Sequence, residues 1–236
     1  MPGVASVSRA DGIRATYDRI ADEYVQRIFH ELDGKPFDRE LLDRFAAQTR
    51  RTGVIVDLGC GPGHVTRYLH ERGARVIGVD LSEGMVRRAR ELSPRIEFHV
   101  GDMRALPFEA GTVAGMVSFY SIIHFELDAL TTVFDEWRRV LAPGAPALVA
   151  FHVGDETMHV DNWWGHEVSL DFHFFDAFDV ESRLLAAGFN VVEASVRDPY
   201  PNVEHPSRRA YLQAVTPGGA SRGVVREGRS RCRAQP

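Results

Sequence analysis

Three glycines spaced two apart, Gly59, Gly61 and Gly63, follow the strand-like run Val54-Ile55-Val56-Asp57-Leu58 and precede a helical segment. A strand that stops in such a loop brings bare backbone N–H groups and a helix N-terminus close to a ligand. Asp80 stands 23 residues beyond Asp57, at the end of a second strand-like run, Val76-Ile77-Gly78-Val79. A carboxylate at that distance accepts from the ribose hydroxyls of an adenosine cofactor. The chemistry these residues suit is therefore recognition of a nucleoside-containing cofactor. A dinucleotide fingerprint, G-x-G-x-x-G/A, would need a small residue at position 64, where the chain has His64. The third glycine falls at 63 instead, and Asp57 precedes the first glycine by two, which disfavours a nicotinamide dehydrogenase.

The order Asp57-x-Gly59-x-Gly61-x-Gly63 resembles the first motif of the class I S-adenosylmethionine-dependent methyltransferases. Gly101-Asp102-Met103, after the run Ile96 to Val100, and Arg139-Val140-Leu141-Ala142-Pro143-Gly144 are further marks of that family. The resemblance covers roughly residues 50 to 215. It implies that the three glycines let the cofactor's methionine part approach the backbone. Asp57 would order the loop and reach the amino group through water. Asp80, followed by Leu81, would bind the ribose. Asp102 would accept from the adenine amine, with Met103 beside the ring. Tyr24, on one helix face with Tyr17, would close over the methionine end.

Methyl transfer from a sulfonium is an in-line displacement, so the protein must place the nucleophile and often remove its proton. A neutral imidazole is a suitable base near pH 7. His124 lies just past the fourth strand, where the resemblance places the transferring methyl, and is the expected catalytic base. His152, His159, His166 and His173 recur at seven-residue steps, a spacing that invites a metal reading. Gly154 and Gly165 break any helix that would align them. The end of the fourth strand carries Ser118, Ser121 and His124 in place of the acids that hold magnesium in catechol-type relatives. No metal is expected. His152 and His159 remain expected hydrogen-bonding partners of the substrate. Trp163, Trp164 and Phe174 are expected to wall it, as an aromatic surface suited to a planar ring or a cationic amine.

These residues need a frame. Tyr17, Ile20, Ala21, Tyr24 and Ile28 mark one helix face, and Leu41, Leu42, Phe45 and Ala46 a second. Strand and helix then alternate: strands over 53–58, 75–79, 95–100, 112–119 and 147–152, with helices over 64–72, 82–92 and 127–141 between them. A helix over 179–187 and strands over 189–196 and 209–215 close the chain. Alternation of this kind implies a parallel sheet covered by helices. The last two strands have no helix between them and suit antiparallel pairing. The expected fold is α/β, a Rossmann-like three-layer sandwich. The resemblance implies seven strands, one of them reversed. Residues 1–50 form a helical cap on a single domain spanning 1–216. Residues 152–177 show no clean period and are read as an irregular substrate lid inserted after the fifth strand.

Net charge is −5, and the last twenty residues carry five arginines against Glu227, so the preceding 216 residues hold −9. An acidic body disfavours a nucleic-acid partner. The tail, 217–236, is rich in Gly, Ser and Arg and reads as disordered. No apolar run is long enough for a bilayer span, and no secretory signal is visible. Two cysteines, Cys60 and Cys232, do not make a disulfide framework, and a cytoplasmic monomer or homodimer is expected. The reading is methyl transfer from S-adenosylmethionine to an N or O atom of a small heteroaromatic or polar metabolite, in secondary metabolism. The alternatives are a macromolecular acceptor gripped by the Arg-rich tail, and a non-catalytic module that only binds the cofactor.

Overall fold

The computed structural model describes residues 8–218. The Arg-rich tail read as disordered lies, from residue 219 on, outside the described residues. Seven strands form one sheet: β1 (Val54–Leu58), β2 (Arg75–Asp80), β3 (Glu97–Val100), β4 (Gly115–Phe119), β5 (Pro146–Val153), β8 (Asn190–Arg197) and β9 (Arg208–Val215). Their order is β3-β2-β1-β4-β5-β9-β8. The first five are mutually parallel, and β9 runs antiparallel to both β5 and β8. The reversal has a simple cause. Residues 198–207 contain no helix, so the chain cannot cross back to start a parallel strand.

Neighbouring residues of β1 go to opposite faces. Ile55 packs with Leu41, Leu42 and Phe45 of α2 (Pro36–Thr49) and Val65 and Leu69 of α3 (His64–Glu71). Val56 packs with Phe134 and Trp137 of α5 (Leu130–Val140) and Leu184 of α6 (Ala177–Ala186). The result is three layers. The sheet's order turns back between β1 and β4, and in an open α/β sheet a ligand sits at the carboxyl ends of the strands at such a switch point. α1 (Arg9–Ile28) crosses that edge. It is fixed to the start of α4 (Glu83–Leu92) by Asp18, whose Oδ1 accepts from Ser82 Oγ at 2.6 Å and Gly84 N at 2.7 Å. A Cβ on Gly84 would come within 2.9 Å of the Asp18 Cα, so only glycine allows this docking.

The segment after β5 differs from the irregular lid expected. Residues 157–173 fold as a hairpin, β6 (Thr157–Trp163) and β7 (His166–His173), in a sheet of their own. Trp164 (φ 55°) and Gly165 (φ 87°) make a two-residue turn with both φ angles positive, which matches the twist of the paired strands. Gly165 N donates to Asn162 Oδ1 at 3.0 Å. Val168, Leu170 and Phe172 alternate as a half-buried strand should, but the register shifts between Val160 and Asn162 and breaks the period in β6.

A buried ionic knot ties the far end of the sheet to α2. Asp38 is fully buried and accepts from Arg197 Nη2 and Tyr211 Oη, each at 2.7 Å, and from Tyr120 Oη at 3.3 Å. Glu204, from the connection between the last two strands, has a fully buried side chain. It accepts from Arg197 at 2.7 and 2.9 Å and from Tyr200 N at 2.8 Å. Asp38→Ala would take from the Arg197 guanidinium one of its two carboxylates and from two tyrosine hydroxyls their carboxylate acceptor, and is expected to cost about 3–5 kcal/mol of folding stability. Urea unfolding measures it, and a loss below about 1 kcal/mol would show the knot to be structurally idle.

Candidate active site

The carboxyl ends of β1, β2 and β4, α1 and the β6–β7 hairpin enclose a cavity of about 510 Å³. Its floor is the glycine loop. Gly59 N and Cys60 N both donate to Val79 O, at 2.8 and 3.1 Å, which ties the loop to β2. Gly59 has φ 66°, and a Cβ there would stand 2.2 Å from the Ser121 Cβ. Gly61 has φ 53°, and a Cβ on it would sit 3.8 Å from the Tyr24 ring. The missing side chain of Gly61 keeps the space under Tyr24 open, while that of Gly59 makes room for Ser121.

Asp80 lines the same cavity. Its Oδ2 accepts from Gly61 N at 2.8 Å and its Oδ1 from Ser82 N at 2.9 Å, so the carboxylate is oriented by the loop it faces. Burial pushes its pKa up to about 6. Leu81, Asp102 and Met103 are also on the wall. Asp102 accepts from Arg104 N at 2.9 Å and pairs with the Arg104 guanidinium at 2.5 Å. Against the cost of burial, those hydrogen bonds hold it below the usual carboxylate range.

Two residues of the expected cofactor set do not face the cavity. Asp57 is 2% exposed and its Oδ2 accepts from Thr66 Oγ1 at 2.6 Å, so it ties β1 to α3 rather than reaching outward. Its burial pushes the pKa up to about 6. Gly63 caps α3 with φ 85°, and a Cβ there would lie 2.8 Å from the Phe98 ring. Its small size serves packing under the loop.

His124 sits on a 3₁₀ turn, Ile122–His124, just past β4, and lines the cavity. Its Nδ1 lies 3.2 Å from the Asp171 carbonyl oxygen and its Nε2 2.7 Å from Tyr17 Oη. A carbonyl only accepts, so Nδ1 carries the proton and Nε2 accepts from the Tyr17 hydroxyl. Burial, against the pull of the Asp171 carbonyl, pushes the imidazole pKa down to about 4, and His124 is neutral at physiological pH. Burial, with Tyr24 and Asp80 nearby, raises the Tyr17 pKa well above its ordinary value, so this hydroxyl keeps its proton. The Tyr17 ring packs edge-on against His124, with centroids 5.3 Å apart, and against Trp163 at 5.8 Å. Trp163 also contacts Trp164 at 4.7 Å and Phe172 at 5.2 Å.

The strand period sorts the other histidines. Met158 and Val160 of β6 point into the cavity, so His159 between them points away. It bonds to Asp171 at 2.6 Å and Asp161 at 2.9 Å on the outer face, and the expected substrate contact from His159 is corrected accordingly. His152, Trp163, Trp164 and Phe174 do line the cavity. His173 bonds to Thr157 Oγ1 and to Arg9. Among the described residues no group of three or more His, Cys, Asp or Glu is placed to hold a metal ion. Sequence reasoning missed Lys35, Glu204, His205 and Arg209 on the cavity wall. The loop after β8, the start of β9 and the residue before α2 bring them there, and in the sequence Lys35 is marked as the one lysine, four residues after Glu31.

Comparison with known proteins accords with this geometry. The methyltransferase-domain family matches residues 55–144. The dTDP-3-amino-3,6-dideoxy-α-D-glucopyranose N,N-dimethyltransferase of Streptomyces fradiae is 32% identical over 202 residues, 81% of this chain and 70% of that protein. The malonyl-[acyl-carrier protein] O-methyltransferase of Halorhodospira halophila is 30% identical over 201 residues, 80% of this chain and 64% of that protein. Further curated relatives are spanned over only 25% to 50% of their length. In fold, the chain matches the magnesium protoporphyrin IX methyltransferase of Synechocystis PCC 6803, solved with bound S-adenosylmethionine. The TM-score is 0.67 at 16% identity, over 91% of this chain and 100% of that one. No helix among the described residues is long and apolar enough to cross a membrane. With seven-tenths of a 32% identical methyltransferase covered, and the glycine loop at the switch point of this sheet, the chain belongs to the class I S-adenosylmethionine-dependent methyltransferases.

Proposed function

We propose that this protein transfers a methyl group from S-adenosylmethionine to a nitrogen or oxygen atom of a small polar or heteroaromatic metabolite. The observation that carries the reading is that one cavity holds both the glycine cradle with Asp80 and the neutral Tyr17–His124 pair. The cradle fits the cofactor, since the space over Gly61 is open for want of a side chain and the bare Gly59 lets the loop close against Ser121. When bound, S-adenosylmethionine supplies a methyl group activated by a sulfonium. The chain supplies the rest. Asp80 accepts from the ribose hydroxyls, Asp102 and Met103 border the adenine, and Tyr24 covers the methionine end. His124 Nε2 takes the acceptor's proton, either directly or as Tyr17 Oη takes it while passing its own proton on. The hairpin aromatics exclude water and hold the acceptor in line. The relatives act, by name, on an amino sugar nucleotide and on a carrier-bound malonyl group, which supports a metabolite acceptor and leaves N and O both open.

Calorimetry tests the cofactor part. S-adenosylhomocysteine is expected to bind and NAD is not. Asp80 accepts through both oxygens, and with full charge, only while ionised, and its pKa is raised to about 6, so affinity should hold above pH 7 and fall as pH drops below 6. Binding of NAD in place of S-adenosylhomocysteine would overturn the reading. Chelation with EDTA is expected to leave methyl transfer intact, and activity lost on chelation and restored by a divalent metal would reverse that expectation.

A further inference from the structure

The aromatic rings of the cavity fall into two groups with no ring contact between them. One joins Tyr17, Tyr24, His124, Trp163, Trp164 and Phe172. The other centres on His152, whose ring lies 5.2 Å from Tyr120, 5.2 Å from Phe174 and 6.1 Å from His205. Two buried cations flank this second group. Lys35 Nζ stands 5.0 Å from the centre of the Tyr120 ring and the Arg209 guanidinium 5.9 Å from it. Methyl transfer as described above gives this end of the cavity no task.

Its hydrogen-bonding capacity is lopsided. The carboxylates are filled. Glu31 accepts from Lys35 at 2.8 Å and pairs with His64 at 3.1 Å, and Glu204 accepts from Arg197 and Tyr200 N. Lys35, Arg197 and Arg209 are matched in number by Glu31, Asp38 and Glu204, so net charge does not decide what fits. The donors do. Arg209 Nη1 donates to His205 O at 2.8 Å and Ser207 Oγ at 2.9 Å, while its buried Nε makes no hydrogen bond and has the Glu204 carboxylate only at 3.5 Å. Lys35 has three N–H groups, one hydrogen bond at 2.8 Å and a second carboxylate only at 3.6 Å. Ser207 Oγ accepts from Arg209 and lies 2.9 Å from His152 Nδ1 and 3.4 Å from His205 Nδ1, the nearer of which takes the hydroxyl proton with the better geometry. The His152 proton is then on Nε2, which has no partner among the described residues. Burial and the charges of Arg209, His205 and Lys35 push the His152 pKa down to about 3, which keeps the ring neutral. A wall with its acceptors satisfied and its donors in surplus takes a ligand rich in acceptor oxygens.

We infer that the methyl acceptor carries a compact anionic group, a carboxylate or a phosphate, that seats against Lys35, His152 and Arg209, with its methyl-accepting atom toward Tyr17 and His124. This rests on the methyltransferase reading and narrows its substrate class. The test uses the full chain with ring-labelled histidine, titrated with inorganic phosphate and separately with malonate, with and without S-adenosylhomocysteine. The His152 ring signal, assigned by its loss in His152→Gln, is expected to shift saturably with at least one of the two anions. The one that binds more tightly tells phosphate from carboxylate. Lys35→Met should weaken that binding about tenfold. Should that variant fail to fold, His152→Gln, which breaks no ion pair, should weaken the same anion measured by calorimetry. No shift at His152 up to about 50 mM of either anion, a concentration at which a site of even about 4 kcal/mol would fill, would overturn the inference. Because the anion is read at His152 itself, a failure of S-adenosylhomocysteine to bind would sink the methyl-transfer reading separately.

Discussion

Replacing His124 by alanine is expected to lower turnover by about 10²–10⁴-fold, the usual worth of a positioned general base, while S-adenosylhomocysteine affinity stays within about threefold. The split follows from the geometry. His124 meets Tyr17 and the Asp171 carbonyl, and none of the loop residues around Asp80. Tyr17→Phe should lower turnover less, about tenfold, because it removes the hydroxyl bonded to Nε2 but leaves the base in place. The pH profile discriminates further. With the imidazole held down to about 4, the base form is already complete at pH 6, so the rate should be flat from pH 6 to 8 with no inflection near 6.5. The same shift predicts a stability effect. The unfolded chain binds this proton near 6.5 and the folded chain resists it until about 4, so the contribution is present above 6.5 and is lost as pH falls through that window. An acceptor that is already an unprotonated nitrogen would need positioning alone, and the loss in His124→Ala would then be smaller. Near-normal turnover in both His124→Ala and His124→Gln at saturating substrate would make His124 structural.

Asp80→Ala should weaken S-adenosylhomocysteine binding by about 100-fold, measured by calorimetry at pH 7.5. Two hydrogen bonds to an ionised carboxylate are worth about 1.5–3 kcal/mol each, and two at the lower figure already amount to that factor. The same carboxylate also holds Gly61 N and Ser82 N, so its loss frees the glycine loop as well. Asp80→Asn keeps an acceptor oxygen and should fall between. Stability should move the other way. Burial raises the Asp80 pKa to about 6, so its stabilising contribution is full only below the unfolded pKa and is lost as pH rises through 6. Above pH 6 the ionised carboxylate therefore adds less to the stability of the ligand-free protein than the protonated form does below the unfolded pKa. An unchanged affinity would remove Asp80 from the ribose.

The α/β order was legible because strands and helices write different periods, and the glycine loop because its backbone angles are open to few other residues. Asp80 and His124 were placed by counting from strand ends, which works where a ligand site is built on the strand termini themselves. The hairpin was hidden because a shift of register at Val160–Asn162 interrupts the one signal a strand has, and with it went the knowledge that His159 faces outward. Asp57 and Gly63 belong to the motif by spacing, yet spacing does not distinguish a residue that touches a ligand from one that holds the loop from beneath. That depends on Thr66 and Phe98, brought up by α3 and β3. The partner of His124 lies 107 residues earlier on α1, and the donor surplus around His152 draws on Lys35, Ser207 and Arg209 from the cap and the last strand. By itself the sequence determined the layers, the glycine loop and the position of His124 past the fourth strand. Only the tertiary structure decided which polar groups find partners and which are left facing the cavity, because hydrogen bonds between distant segments exist only once packing has closed the distance.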